Sequence, residues 1–292
     1  MPNIIDISTM PDLLHDGLAF GEGPRYRDNT LYFSDMHAHQ VLKFSPAQGK
    51  VSVVVELDEE PSGLGWLPNG DLVIVAMSSR SLLRVKEQPS NTVRANDTYV
   101  DLAHLAPGLC NDMVMLPSGA AYVGNFGYDM HAGEKFRPTQ LIYVSPEGQA
   151  SHCADDLVFP NGTVISPDGK TLIIAETFGG KLSSYRVSED GSLGAREVWA
   201  ELPEGAVPDG ICLDEAGGVW VASPTTNECL RLEQGGNVSH RVALDRGAFA
   251  CMLGGTDLYI LSAKSSTPNE CKAQKAGQLL RATAPYAAAG YP

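Results

Sequence analysis

Five polar residues stand at matching places along this chain. Ser62, Asn111, Asn161 and Asp209 precede the turn glycines Gly70, Gly119, Gly169 and Gly217 by eight residues each, and Glu22 precedes the start of a strand-like run at Thr30 by the same eight. Glu22, Asn161 and Asp209 are hard oxygen donors. With Asn111 they make a set of two carboxylates and two amides. Such a set suits Ca²⁺, Mg²⁺ or Mn²⁺ better than a thiolate-preferring metal, with Zn²⁺ or Fe²⁺ still open. Asn-Gly and Asp-Gly are also common turn dipeptides, so Asn161-Gly162 and Asp209-Gly210 taken singly read as turns. Their shared offset favours a site, because turns need no common register and a site built from repeats does.

The elements that must position these residues follow the same register. Each polar position is followed by a hairpin turn and then by an apolar run, such as Leu72-Val73-Ile74-Val75, Leu172-Ile173-Ile174-Ala175 or Val219-Trp220-Val221-Ala222. Successive positions lie 40, 49, 50 and 48 residues apart, and a degenerate sixth unit opens at Ala250-Cys251. Each period has room for four short strands, with second hairpins at stretches such as Gln140–Val144. Six units of four strands predict an all-β chain, a six-bladed β-propeller with a central metal site, forming a single domain over residues 1–292. In a propeller the first strand of each blade lines the axis, so Glu22, Ser62, Asn111, Asn161 and Asp209 should converge at one mouth. Ile4-Ile5-Asp6-Ile7 is expected to join the last blade and close the ring, removing exposed edges. An open β-sandwich is the rival architecture, and the regular period counts against it.

Composition narrows the function classes. The 30 glycines and 19 prolines are spread along the whole chain, as many short strands require. The net charge of −14 comes with no basic stripe, which argues against nucleic acid as a partner. No apolar run approaches a membrane span, and Met1-Pro2-Asn3 does not open a signal peptide, so a cytoplasmic protein is expected. The six cysteines form no C-x-x-C pair and are expected to be free thiols, with Cys110 a packed residue that lacks a partnering base. Ser62 lacks the Gly-x-Ser-x-Gly elbow of a serine hydrolase. His37 and His39 read as exposed loop residues, and His131 has no ligand-spaced partner. The long connection over residues 129–139 reads equally well as a cover over the mouth or as a solvated loop. The oligomeric state is left open.

Gly21-Glu22-Gly23-Pro24, Cys110-Asn111-Asp112, Phe159-Pro160-Asn161-Gly162, Ser166-Pro167-Asp168-Gly169 and Pro208-Asp209-Gly210, in this order, resemble the senescence marker protein/gluconolactonase/luciferin-regenerating enzyme family, the regucalcin-like lactonases. The resemblance runs from about Leu18 to Arg281. It implies a six-bladed propeller with one catalytic divalent cation held by Glu22, Asn161 and Asp209, most readily Ca²⁺. It also implies a small lactone or ester as substrate, with Asn111 at both metal and substrate and Asp112 as a supporting partner. Metal-assisted lactone hydrolysis is then the expected reaction, the cation polarising the carbonyl and Asp209 serving as base or nucleophile. Asn111, Asn125, Ser62 and Asp129 are the candidate substrate contacts. The sugar-lactonase pattern often has an arginine where Leu109 stands, and Gly124-Asn125-Phe126-Gly127-Tyr128-Asp129 replaces the usual Gly-Thr-Met segment. Phe126 and Tyr128 should therefore give a more apolar mouth, suited to a less polar lactone or ester. A phosphotriesterase needs the same metal, and a non-catalytic propeller with a structural ion would use the same residues; both remain as rivals.

Overall fold

The computed structural model describes residues 4–8, 11–86, 93–94, 98–129 and 133–291. His131 and the Met1–Asn3 terminus lie outside the described residues. Six sheets, antiparallel apart from the added edge strands Ile5–Ser8 and Val93–Arg94, form a six-bladed β-propeller. Their innermost strands are Gly21–Arg27, Pro61–Trp66, Cys110–Met115, Pro160–Ile165, Ile211–Asp214 and Gly247–Gly254, in blades one to six. Each is followed outward by its hairpin partner, for example Leu72–Ala76 in blade two and Thr171–Glu176 in blade four.

The inner and second strands are packed between neighbouring blades, which is why they read as continuous apolar runs rather than alternating ones. Leu72–Ala76, Cys110–Met115 and Val219–Ser223 are buried at every position. Outer strands face water on one side, and Ala150–Leu157 is exposed or half-buried at all but its last residue. The interblade core includes Leu31, Phe33, Trp220 and Tyr259, none more than 1 % exposed. Burying side chains of this size stabilises by roughly 1.5–3 kcal/mol each, so repeated blades supply most of the fold's driving force.

Ring closure differs from the sequence expectation. Asp12–Leu18 pairs antiparallel with Gly277–Thr283 and becomes the outer strand of blade six. Ile5–Ser8 instead lies parallel on Val238–Ala243 of blade five. Alternation of apolar residues marked Ile4–Ile7 as strand-forming but could not say which edge would take it. Thr98–Asp101 is the outer strand of blade two. No described helix is long and apolar enough to cross a membrane.

Candidate active site

Glu22, Ser62, Asn111 and Asn161 are presented by a backbone irregularity repeated in blades one to four. The register between inner and second strands slips between Glu22 and Arg25, Pro61 and Leu64, Cys110 and Met113, and Pro160 and Thr163. A bulge of this kind turns a strand and re-aims a side chain. The glycines that follow Glu22, Ser62, Asn161 and Asp209 are required by packing. A Cβ on Gly162 would lie 2.5 Å from the Ile211 nitrogen and 2.6 Å from the Asp209 oxygen, and one on Gly210 would lie 2.7 Å from Ala250 Cα. Gly162 N–H donates to the Asp209 carbonyl at 3.1 Å, joining blades four and five at the site. Asn161-Gly162 and Asp209-Gly210 are thus places where two inner strands meet, not turns.

Glu22, Asn111, Asn161 and Asp209 line one cavity of about 850 Å³. All four are buried, with 6–8 % exposure. Burial pushes the Glu22 carboxyl well above the usual carboxylate range, and the charges of Asp209 and Asp112 push it further, against one N–H donated by Gly23 at 3.1 Å. Burial raises Asp209 in the same way, with Asn161 opposing as a hydrogen-bond donor. Asp209 Oδ1 is buried without a hydrogen-bond partner. Two buried carboxylates with an orphaned oxygen are costly in isolation and are what a cation would neutralise. Among the described residues no three His, Cys, Asp or Glu side chains are grouped as metal ligands. The donors here are two carboxylates plus amides, and this oxygen set fits a hard divalent cation. Asn161 Nδ2 donates to Thr177 Oγ1 at 3.3 Å, and Asn111 Nδ2 to the Pro160 carbonyl at 3.3 Å.

Other sequence candidates lie elsewhere. Ser62 is 1 % exposed and off the cavity wall, its hydroxyl donating to Asn111 Oδ1 at 3.4 Å. Asp112 accepts from Arg25 at 2.7 Å and from its neighbour's N–H, Met113, at 2.8 Å. Asn125 is fully buried and pins its own loop, donating to the Gln140 carbonyl at 2.8 Å and accepting from Gly127 N–H and Thr139 Oγ1. Asp129 is exposed, its N–H bound to Glu134 at 3.0 Å. The structure does not bring Asn125 or Asp129 to the cavity.

The cavity wall holds residues that the sequence reading did not select. Phe20, Phe159, Phe178, Phe249 and Thr177 join Leu109 and Phe126 there. Tyr128 packs behind the wall against Phe136. His37, read as an exposed loop residue, is 8 % exposed and lines the cavity. Its ring rests against Phe20 at 5.3 Å, and Nδ1 has no partner. Cys110 is fully buried, and burial pushes its thiol up to about 12, which suits a packing residue.

Fold and site together define a six-bladed propeller with an oxygen-donor cluster at one end of its axis. A sequence profile of the SMP-30/Gluconolactonase/LRE-like region matches residues 20–264, and the chain belongs to this family. It is 28 % identical over 268 residues to a 6-deoxy-6-sulfogluconolactonase of Pseudomonas putida, covering 89 % of this chain and 88 % of that one. It is 25 % identical to regucalcin of Gallus gallus, with 87 % of each chain covered. The crystal structure of a calcium-binding regucalcin from Agrobacterium tumefaciens superposes with a TM-score of 0.79 at 19 % identity, over 99 % of this chain and 97 % of that one.

Proposed function

We propose that this protein is a divalent-metal-dependent lactone hydrolase whose site is built on Glu22, Asn161 and Asp209. The observation that carries the reading is the pair of buried carboxylates, Glu22 and Asp209, on the wall of a cavity large enough for a small molecule, with Asp209 Oδ1 unpartnered. Membership of a family whose relatives include named lactonases supports the reaction class. The name of a calcium-binding relative supports a cation, Ca²⁺ first among the candidates.

Glu22, Asn161 and Asp209 would hold the cation, which when bound supplies a Lewis acid and a counter-charge for the developing oxyanion. The chain's own residues do the rest. Asp209 carries an oxygen without a hydrogen-bond partner, and in this reading it would take a proton from water or attack the acyl carbon itself. Asn111 stands on the same wall and orients the substrate through its amide. Asn161 is fixed in turn by Thr177. The apolar wall limits bulk water around the reacting carbonyl, which strengthens each electrostatic contact.

The test is metal analysis of the purified protein, followed by a lactone panel with and without chelator. Lactone opening that is lost on chelation and restored by one divalent cation is expected. A bound cation without turnover on any lactone or ester would leave a binding propeller. Turnover confined to phosphotriesters would replace the reaction class.

A further inference from the structure

The cavity has two unlike halves. Glu22, Asn111, Asn161 and Asp209 form its polar floor, while one wall is a run of stacked rings. Phe126 and Phe159 stack with centroids 4.5 Å apart and planes 24° apart, and Phe159 meets Phe178 at 4.5 Å and 33°. Leu109 extends this wall. Phe159 holds its place with φ of +60°, left-handed backbone that a bulky residue rarely adopts, and such strain persists where the surroundings require the side chain in one position. Phe178 is 54 % exposed at the rim, a large apolar ring left facing water.

Charge points the same way. Among the described residues that line the cavity there is no lysine or arginine, whereas Glu22, Glu60 and Asp209 are present. An anionic substituent on the Phe126–Phe159–Phe178 side would find no described lysine or arginine on the wall there. A polyhydroxylated ring laid along the Leu109–Phe126–Phe159–Phe178 side would bury hydroxyls against groups that cannot pair with them. A planar apolar ring would instead continue the stack.

We infer that the site takes an uncharged lactone bearing an aryl group, the ring lying on Phe126, Phe159 and Phe178 with the lactone carbonyl over the polar floor. This rests on the hydrolase reading. Water adds to the acyl carbon, the ring C–O bond breaks, the ring oxygen leaves as a hydroxyl that takes up one proton, and the product is a hydroxy acid. At neutral pH that acid ionises to a carboxylate.

The experiment compares an aryl-fused δ-lactone, dihydrocoumarin, with glucono-δ-lactone on the cation-loaded protein. Calorimetric titration of 3,4-dihydro-2-quinolinone and gluconolactam, lactams that resist ring opening, runs beside it. The aryl lactone is expected to show kcat/KM at least about tenfold higher than the sugar lactone, and Phe178→Ala and Phe126→Leu should each lower that ratio about tenfold. Thermal melting establishes that both variants are folded. Faster opening of glucono-δ-lactone, or a ratio indifferent to Phe178→Ala, would overturn this inference while leaving the hydrolase reading intact. If neither lactone opens but the aryl lactam binds over the sugar lactam, the hydrolase reading falls and the aryl pocket stands. Tighter binding of gluconolactam, or no binding of the aryl lactam, would overturn the pocket.

Discussion

The guanidinium of Arg25, on the inner strand of blade one, donates to Asp112 Oδ1, on that of blade three, at 2.7 Å, and also to the Met113 carbonyl. The two side chains are 6 % and 8 % exposed. The bond spans blade two, where a Cβ on Gly63 would lie 2.7 Å from the same Asp112 oxygen. Asp112 occupies the place after Asn111 where blades one, two, four and five have glycine, and it brings a third carboxylate near Glu22 and Asp209. Arg25 compensates that charge. Removing one partner of a buried pair costs about 3–5 kcal/mol, whereas an apolar pair of similar volume can be nearly neutral. Arg25→Met should therefore lower the urea stability by that amount. Arg25→Met with Asp112→Leu should recover most of it. A loss in the double variant equal to the sum of the losses in Arg25→Met and Asp112→Leu alone would show that the pair is not coupled.

Asp209→Asn keeps the size of the side chain and removes one carboxylate. Loss of a supporting contact around a metal typically costs 10–100-fold, so loss of a direct ligand should lower both cation affinity and lactone kcat/KM by at least about a hundredfold. Titration calorimetry and steady-state assays check the two readouts separately. Wild-type cation affinity in this variant would remove Asp209 from the ligand set.

Glu22→Gln should act in opposite directions with and without metal. Burial and the neighbouring charges of Asp209 and Asp112 disfavour the Glu22 carboxylate in the folded chain, so the neutral amide should raise the melting temperature of the chelator-treated protein. The same change should reduce the stabilisation gained on adding cation. For the wild type that gain is about 2.7 kcal/mol at a free cation concentration one hundred times Kd. A variant that melts lower than wild type in chelator would contradict the electrostatic argument.

His37 makes stability fall on the acid side of neutrality. Burial lowers its proton affinity from the ordinary value of 6.5, against the opposing pull of the Ser266 backbone, Glu60 and Asp35, while Lys272 adds to the lowering. Between the folded value and 6.5 the unfolded chain binds more protons, so stability drops as pH falls below about 6.5, by at most about 1.4 kcal/mol per pH unit from this group. His37→Gln should flatten that part of the profile. Urea midpoints at pH 7.5 and 5.5 for both proteins provide the measurement, and an unchanged difference between them would assign the pH dependence to other groups.

Much of this arrangement was legible before any coordinates. The fixed offset from Glu22, Asn111, Asn161 and Asp209 to the following turn or strand reported both a repeat and a converging set of donors, and the four residues do line one cavity. Asn125 shows the limit of such reading. Its place in a segment that departs from the family pattern made it a substrate candidate, yet its amide is taken up by Gln140, Gly127 and Thr139 in its own loop. His37 failed in the opposite sense, since its burial comes from contacts distant in sequence, among them Phe20 and the region of Ser266.

The sequence by itself determined the number of blades, their apolar strands and the register of the axial donors, because those depend on local pattern repeated along the chain. Tertiary structure decided the rest. It chose Asp12–Leu18 rather than Ile5–Ser8 to close blade six, since only pairing partners can select among strand-forming segments. It showed that Gly162 and Gly210 serve close strand approach, and it joined Arg25 to Asp112 over a separation of 87 residues. It also gathered Phe126, Phe159 and Phe178, from blades three and four, into one wall. Each of these is a contact between segments far apart in the chain, where side-chain type sets what a residue offers and packing alone sets what it meets.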